Sequence, residues 1–358
     1  AEASVAVVLP FSWTPPGQDA SHQGVFKVLK PGITAILHQE LDIWSDLGEF
    51  LEDRCQCYGL PRLQYRQTLQ QIQRLLMQEI RLDLEQANLR RAAVLYADCS
   101  DIWIPRLLPL CTPRVTAMEY IPGNKVTDVS HLEKSLRRKM AESLVSNLMA
   151  RPLWSRDEDA FFHADPHAGN LFRTPDGRLA VLDWSLLTTL SRQERTHLMQ
   201  VLLGALRLDA PTVCRGLESL ASKPPDEHKL KHVVGRELSS VLSGSLPGFN
   251  WLLGLMDRAV TEAEITFPES LAVYRKALHT LLGVVEDVSE TCSLDTVLMT
   301  SGLKEFVAEW PQRAVSPWHS RDFGTHVSNL DLACFVLSSP LLPLKAWNTW
   351  WQNALNQK

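Results

Sequence analysis

Apolar residues near the start of the chain fall into two short runs, residues 4–10 and 24–29. Thr14, Pro15, Pro16, Gly17, Gln18 and Asp19 lie between them, which predicts a strand hairpin with a loose connection. Pro31-Gly32 ends the second run. The period then changes: Ile36, Leu37, Leu41, Trp44, Leu47 and Leu51 follow helical spacing until Gly59 and Pro61. A second long helix carries Leu69, Ile72, Leu75, Leu76 and Ile80 and runs on through Glu85. A strand-like segment over residues 114–121 is closed by Pro122-Gly123.

The remainder reads as helical, with Leu202, Leu206, Leu217, Leu220, Leu252, Leu255 and Leu281 in period. Two non-helical pieces interrupt it, residues 161–172 and 179–182, joined by a Pro175-Asp176-Gly177 turn. Ser191 and Glu194 form a capping box that opens the next helix. The predicted layout is α+β, with a small strand-plus-helix lobe at 1–118 and a large, mainly helical lobe at 119–358.

Composition narrows the classes. Apolar residues are 45% and charged residues 22%, ordinary for a folded soluble protein. The formal net charge of −5 supplies no basic field for nucleic acid. Seven cysteines, with a Cys55-Gln-Cys57 pair but no CxxC, read as reduced thiols, neither a disulfide framework nor a zinc site. The expected location is cytoplasmic or the interior of an organelle, with membrane association open.

The chemistry concentrates in residues 163–170. Asp165 and Asn170, five positions apart on a loop, match a kinase catalytic loop, where the Asp orients the nucleophile's proton and the Asn ligates Mg²⁺. Residues 179–182 form a short apolar strand that delivers Asp183, the other metal ligand of such a site. Lys27 lies on an alternating strand, Val25-Phe26-Lys27-Val28, where kinases place the lysine for the α- and β-phosphates. Such a strand lysine is expected to be half-exposed and to contribute little to packing. Glu79 and Glu85 are the helix carboxylates that could fix it, on different helix faces. The backbone of Ala117, Met118, Glu119 and Tyr120 is placed to meet an adenine edge. His163 and His167 are i, i+4, but Pro166 keeps them off a shared helix face, so His163 reads as a satisfied structural histidine.

Several segments together resemble the UbiB/ADCK (AarF-type) family of atypical protein-kinase-like ATPases. They are Ala3-Ser4-Val5-Ala6, residues 27–33, Glu85-Gln86-Ala87-Asn88, residues 118–123, residues 163–170 and Leu182-Asp183-Trp184. The resemblance implies a two-lobe kinase-like fold and a place in coenzyme Q (ubiquinone) biosynthesis. It implies a Mg²⁺-bound ATP or ADP, with a quinone or lipid precursor and quinone-biosynthesis proteins as partners. It makes Ala3 and Ser4 part of an alanine-rich phosphate loop and Glu79 the partner of Lys27. The chain departs from the family's pattern at Glu2, at Arg81 where the family has Asp, and at Ser185 where Gly is usual and positive φ tolerated. It also lacks the family's Lys-x-Gly-Gln extension and begins within the phosphate loop, so an excerpt and a stripped-down member are both open.

Asp165, Lys27 and Glu79 are thus the expected catalytic residues, Ala3, Ser4, Lys27, Glu119 and Tyr120 the nucleotide contacts, and Asn170 and Asp183 the metal ligands. No Ala-Pro-Glu motif follows Asp183, and Ala164 stands where many protein kinases carry an Arg, so a small molecule, a lipid or coupled hydrolysis is favoured over a protein substrate. Two alternatives stand beside this reading. One is a small-molecule phosphotransferase of the aminoglycoside/choline kinase type; the other is a nucleotide-binding pseudokinase scaffold. Trp347, Trp350 and Trp351 near the C-terminus suit a lipid interface, so peripheral membrane contact is a further expectation.

Overall fold

Strand β1 (Ala6–Trp13) folds back on β2 (His22–Leu29), and β2 pairs in turn with β4 (Val115–Glu119), all antiparallel. The computed structural model describes residues 5–14, 21–60, 65–338 and 340, so the readings on residues 1–4 and on the C-terminal tryptophans fall outside it. Central position in the sheet explains the surroundings of Lys27. It lies opposite Val8 on one side and Thr116 on the other, and only 5% of it is exposed. The expectation of a half-exposed lysine is corrected: its side chain leaves the sheet on a face where Glu85 and Asp183 close over the ammonium. Gly24 on the same strand lets the ring of Phe11 close down, since a Cβ there would sit 2.7 Å from a ring carbon.

Helix α1 (Ile33–Arg54) starts after Gly32, which takes φ 75°, a value glycine adopts without strain. It runs against α2 (Tyr65–Glu79), and Leu37, Leu41 and Ile80 form a buried cluster with Val5, Leu29, Trp44, Leu76 and Met77. Ile36 and Leu47, read as part of the same stripe, are exposed at 49% and 43%. The long second helix is in fact two: α2 ends at Glu79 and α3 (Leu82–Leu95) begins after Arg81, whose backbone (φ −95°, ψ 76°) leaves the helical region. Glu79 and Glu85 therefore sit on separate helices.

A second, four-stranded sheet has the order β3 (Ile102–Trp103), β8 (Leu179–Val181), β7 (Leu171–Arg173), β5 (Asn124–Lys125). Pro122-Gly123 enters it at close range, and a Cβ on Gly123 would stand 2.5 Å from the carbonyl oxygen of Arg173. These elements and most of α4 (Lys134–Val145) make one compact unit, residues 1–143 and 163–187.

The other unit, residues 144–162 and 188–358, is helical apart from β6 (Asp159–His163) paired with β9 (Leu187–Ser191). A short α5 (Arg151–Leu153) is followed by α6 (Arg192–Leu206), α7 (Ala210–Leu220), α8 (Glu227–Leu242) and α9 (Phe249–Glu262). Then come α10 (Glu269–Val288), α11 (Leu294–Val315) and α12 (Asn329–Ser338). Ser191 and Glu194 cap α6 reciprocally, as read. Leu202, Leu217, Leu220, Leu252, Leu255 and Leu281 are buried here, while Leu206 is exposed. No described helix is long and apolar enough to cross a membrane. Sheets concentrated in the first unit and a mainly helical second unit make the chain α+β.

Candidate functional site

The first unit brings Lys27, Glu85 and Asp183 together. The Lys27 ammonium donates to Glu85 Oε1 at 2.7 Å and to Asp183 Oδ2 at 2.8 Å, across 58 and 156 residues of sequence. Helix α3 does most of the positioning. Glu85 reaches Lys27; the Gln86 amide donates to the carbonyls of Thr112 and Val115; the Asn88 amide donates to the carbonyls of Trp184 and Ser185. One helix thus holds the central strand's lysine, the start of β4 and the segment after Asp183. The assignment of Glu79 as the lysine's partner is corrected: the carboxylate on Lys27 is that of Glu85. The helix break at Arg81 restarts the helical phase between the two glutamates. Glu79 is half-buried at the end of α2.

Burial would raise Asp183, yet the charge and hydrogen bond of Lys27 and the bonds from Ser185 hold it down to about 2. Burial pushes Glu85 the other way, to about 7, against the opposing pull of Lys27. Lys27 itself would be lowered by burial, but the charges of Asp183 and Glu85 override that and raise it. With both carboxylates ionised the trio carries one surplus negative charge. Glu85 Oε2 is buried with no hydrogen-bond partner.

The loop from Asp165 to Asn170 is folded on itself. Asp165 O accepts from the His167 amide at 2.8 Å and from the Asn170 side-chain nitrogen at 3.4 Å. Asn170 O accepts from the Leu182 amide at 2.9 Å, which ties the loop to the strand that delivers Asp183. Asp165 is half-buried, and its Oδ2 lies 3.7 Å from His167 Nε2. His163 is fully enclosed; its Nδ1 accepts from the Asp165 amide at 3.1 Å and its Nε2 meets the Asp183 carbonyl at 2.6 Å. The structural reading of His163 fits this.

At the end of β4 the picture is less simple. The amide of Glu119 donates to Arg106 O and that of Tyr120 to Gln23 O, so neither N–H is spare for an adenine edge. The Glu119 carboxylate pairs with Arg106 and accepts from Trp103. Ala3 and Ser4 lie outside the described residues.

Sequence reasoning missed Asn88 as a positioning residue and the contact Ser185 makes. Ser185 donates to Asp183 Oδ1 from both its amide, at 2.9 Å, and its hydroxyl, at 2.7 Å. The Glu85-Gln86-Ala87-Asn88 string was the available signal for the first; nothing in the sequence signals the second.

Among the described residues no group of three or more His, Cys, Asp or Glu side chains forms a metal cage. The donors present are hard oxygens: Asp183, Asn170 Oδ1 and the orphaned Glu85 Oε2. Mg²⁺ is commonly held by one or two carboxylates together with substrate phosphates. The surplus negative charge and the orphan oxygen fit such an ion, and fit nucleotide phosphate only in its company.

A model of the "ABC1 atypical kinase-like domain" matches residues 17–216. The chain is 26% identical over 291 residues to the chloroplastic protein ACTIVITY OF BC1 COMPLEX KINASE 1 of Arabidopsis thaliana, covering 79% of this chain and 41% of that one. It is 26% identical over 199 residues to "Probable protein kinase UbiB" of Aliivibrio fischeri, covering 54% of this chain and 36% of the other. The chain thus spans well under two thirds of the length of either relative. In three dimensions it is similar to the Rv3197–erythromycin complex of Mycobacterium tuberculosis, with a TM-score of 0.55 at 18% identity, covering 80% of this chain and 72% of that one. That likeness is one of fold.

Proposed function

This chain belongs to the ABC1 atypical kinase-like family, and on that premise we propose that it binds a magnesium nucleotide, ATP or ADP, and turns it over. The observation that carries the reading is the Lys27–Glu85–Asp183 trio: one ammonium between two carboxylates, which with both carboxylates ionised holds one surplus negative charge that a bound cation would balance. In this reading Lys27 meets the nucleotide's phosphates, Glu85 fixes Lys27, Asp183 and Asn170 are the metal ligands, and Asp165 orients the attacking group. Residues 1–118 and 119–358 act as the two lobes around the nucleotide, with Ala3 and Ser4 against its phosphates and the carbonyl side of Glu119 and Tyr120 toward its base. A bound Mg²⁺ would supply neutralisation of the charge that develops on the transferred phosphoryl group.

The acceptor is proposed to be small or lipid-like, or water in a coupled hydrolysis. Strand β9 begins four residues after Asp183 (187 − 183) and α6 nine after it (192 − 183), which leaves no length for a peptide-docking activation segment. A role in isoprenoid-quinone biosynthesis rests on the family resemblance. The rival is a scaffold that binds nucleotide without turnover, favoured by one observation: both oxygens of Asp183 already have partners.

Melting the protein with Mg²⁺ plus ADP, then with Mg²⁺ plus ATP, tests the first step. Stabilisation by several degrees is expected, and it should be lost in Asp183→Asn. An equal shift in both proteins removes Asp183 from the site. Release of phosphate from ATP, absent in Asp183→Asn, separates the enzyme from the scaffold, and a screen of prenylated phenols against aminoglycosides and choline separates the two enzyme readings.

A further inference from the structure

The two oxygens of Asp183 are not equivalent. Oδ2 accepts one hydrogen bond, from Lys27 Nζ at 2.8 Å. Oδ1 accepts two, from the amide and the hydroxyl of Ser185 at 2.9 and 2.7 Å. A carboxylate has about two lone-pair sites on each oxygen. Oδ1 is therefore full, and Oδ2 keeps one place. Protein kinases hold nucleotide with two Mg²⁺ ions, one Asp serving both. With glycine at position 185 the amide bond alone would remain, and Oδ1 too would keep one place.

Nothing strains this contact. Among the described non-glycine residues only Leu208, Glu264 and His326 have positive φ, so Ser185 sits in ordinary backbone. The carbonyl of Ser185 and that of Trp184 are both held by the Asn88 amide, which keeps the hydroxyl within reach of the carboxylate.

We propose that Ser185 is a specificity-determining residue that withholds Asp183 Oδ1 from metal, so that nucleotide is held with one divalent ion at Asp183 in place of two. The inference rests on the magnesium-nucleotide reading of the site. A hydrogen bond to a charged group is worth enough to weaken a competing ligand roughly tenfold to a hundredfold.

The test counts ions. Wild type, Ser185→Ala and Ser185→Thr are titrated with Mn²⁺ at saturating ADP, and free Mn²⁺ is read by electron paramagnetic resonance. Wild type and Ser185→Thr, which keeps the hydroxyl, should bind one ion tightly and a second at least tenfold more weakly than Ser185→Ala does. Melting without ligand confirms that each variant is folded. Two ions bound with equal strength by wild type, or identical titrations for wild type and Ser185→Ala, overturn the assignment of Ser185 alone. If no protein binds Mn²⁺ and ADP together, the magnesium-nucleotide reading falls and the Ser185 proposal falls with it.

Discussion

His163 and Asp183 meet through a 2.6 Å contact between the ring's Nε2 and the backbone carbonyl of the aspartate. The other ring nitrogen accepts from the Asp165 amide, so Nδ1 carries no proton and Nε2 must be the donor. A neutral ring of one tautomer thus clamps the two acidic residues of the site at backbone level. Burial lowers the pKa of His163.

The pH dependence follows from that sign. The unfolded chain takes up a proton near pH 6.5, the folded chain only at lower pH. The contribution of His163 is then complete above about 6.5 and is lost as the solution is acidified below it. Denaturant unfolding at pH 7.5 and pH 5.0 should show wild type losing more stability on acidification than His163→Asn does. Parallel losses in the two proteins would show that the ring is not held neutral.

Glu85 gives the opposite slope. Its folded pKa is raised to about 7, so its contribution is present below the ordinary carboxylate value and is lost as pH rises through about 7. The stability difference between wild type and Glu85→Gln should therefore favour wild type most near pH 4.5 and shrink toward pH 7.5. His163 is common to both proteins and cancels. A difference that grows with pH would place an ionised Glu85 firmly in the ion pair.

What could be read from the chain alone was what is local. Asp165 and Asn170 share one loop, and Asp183 follows the next apolar strand, so their order and spacing carry the pattern. The α+β class follows from the change of period at Pro31 and the long helical remainder. Contacts set by tertiary context were not legible. The burial of Lys27 depends on Glu85 and Asp183 reaching it from distant parts of the chain, and the choice of Glu85 over Glu79 depends on a helix break at Arg81, a residue with good helix propensity. Ile36 and Leu47 keep helical spacing yet face solvent, because periodicity marks a face without saying what covers it.

Lys27 supplies a prediction about energy. Lys27→Ala leaves the buried carboxylate of Glu85 and the partly buried one of Asp183 with no cation between them. Breaking a buried pair costs about 3–5 kcal/mol, and this one falls at the lower end because the Asp183 side chain is 26% exposed. Adding Glu85→Gln to Lys27→Ala should restore part of the loss, since it removes one of the stranded charges. A strictly additive double variant, by urea denaturation, would mean the two residues do not share an interaction.

The last prediction concerns Asn88, whose side-chain nitrogen donates to Trp184 O at 3.0 Å and to Ser185 O at 3.4 Å. Those carbonyls flank the turn that carries Asp183 and Ser185. Replacing the amide by alanine removes a donor and leaves two part-buried acceptors short of one bond, a loss of about 1–3 kcal/mol. Replacing it by aspartate keeps the shape but sets a carboxylate against two carbonyl oxygens, so repulsion adds to the lost bond. Asn88→Asp should therefore be the more damaging of the two at pH 7.5, in melting temperature and in the shift produced by Mg²⁺ with ADP. Acidification toward pH 4 should narrow the gap, because the introduced carboxyl regains a donor once it is protonated. If Asn88→Ala is as damaging as Asn88→Asp at both pH values, Asn88 acts by filling space and not by holding the turn after Asp183.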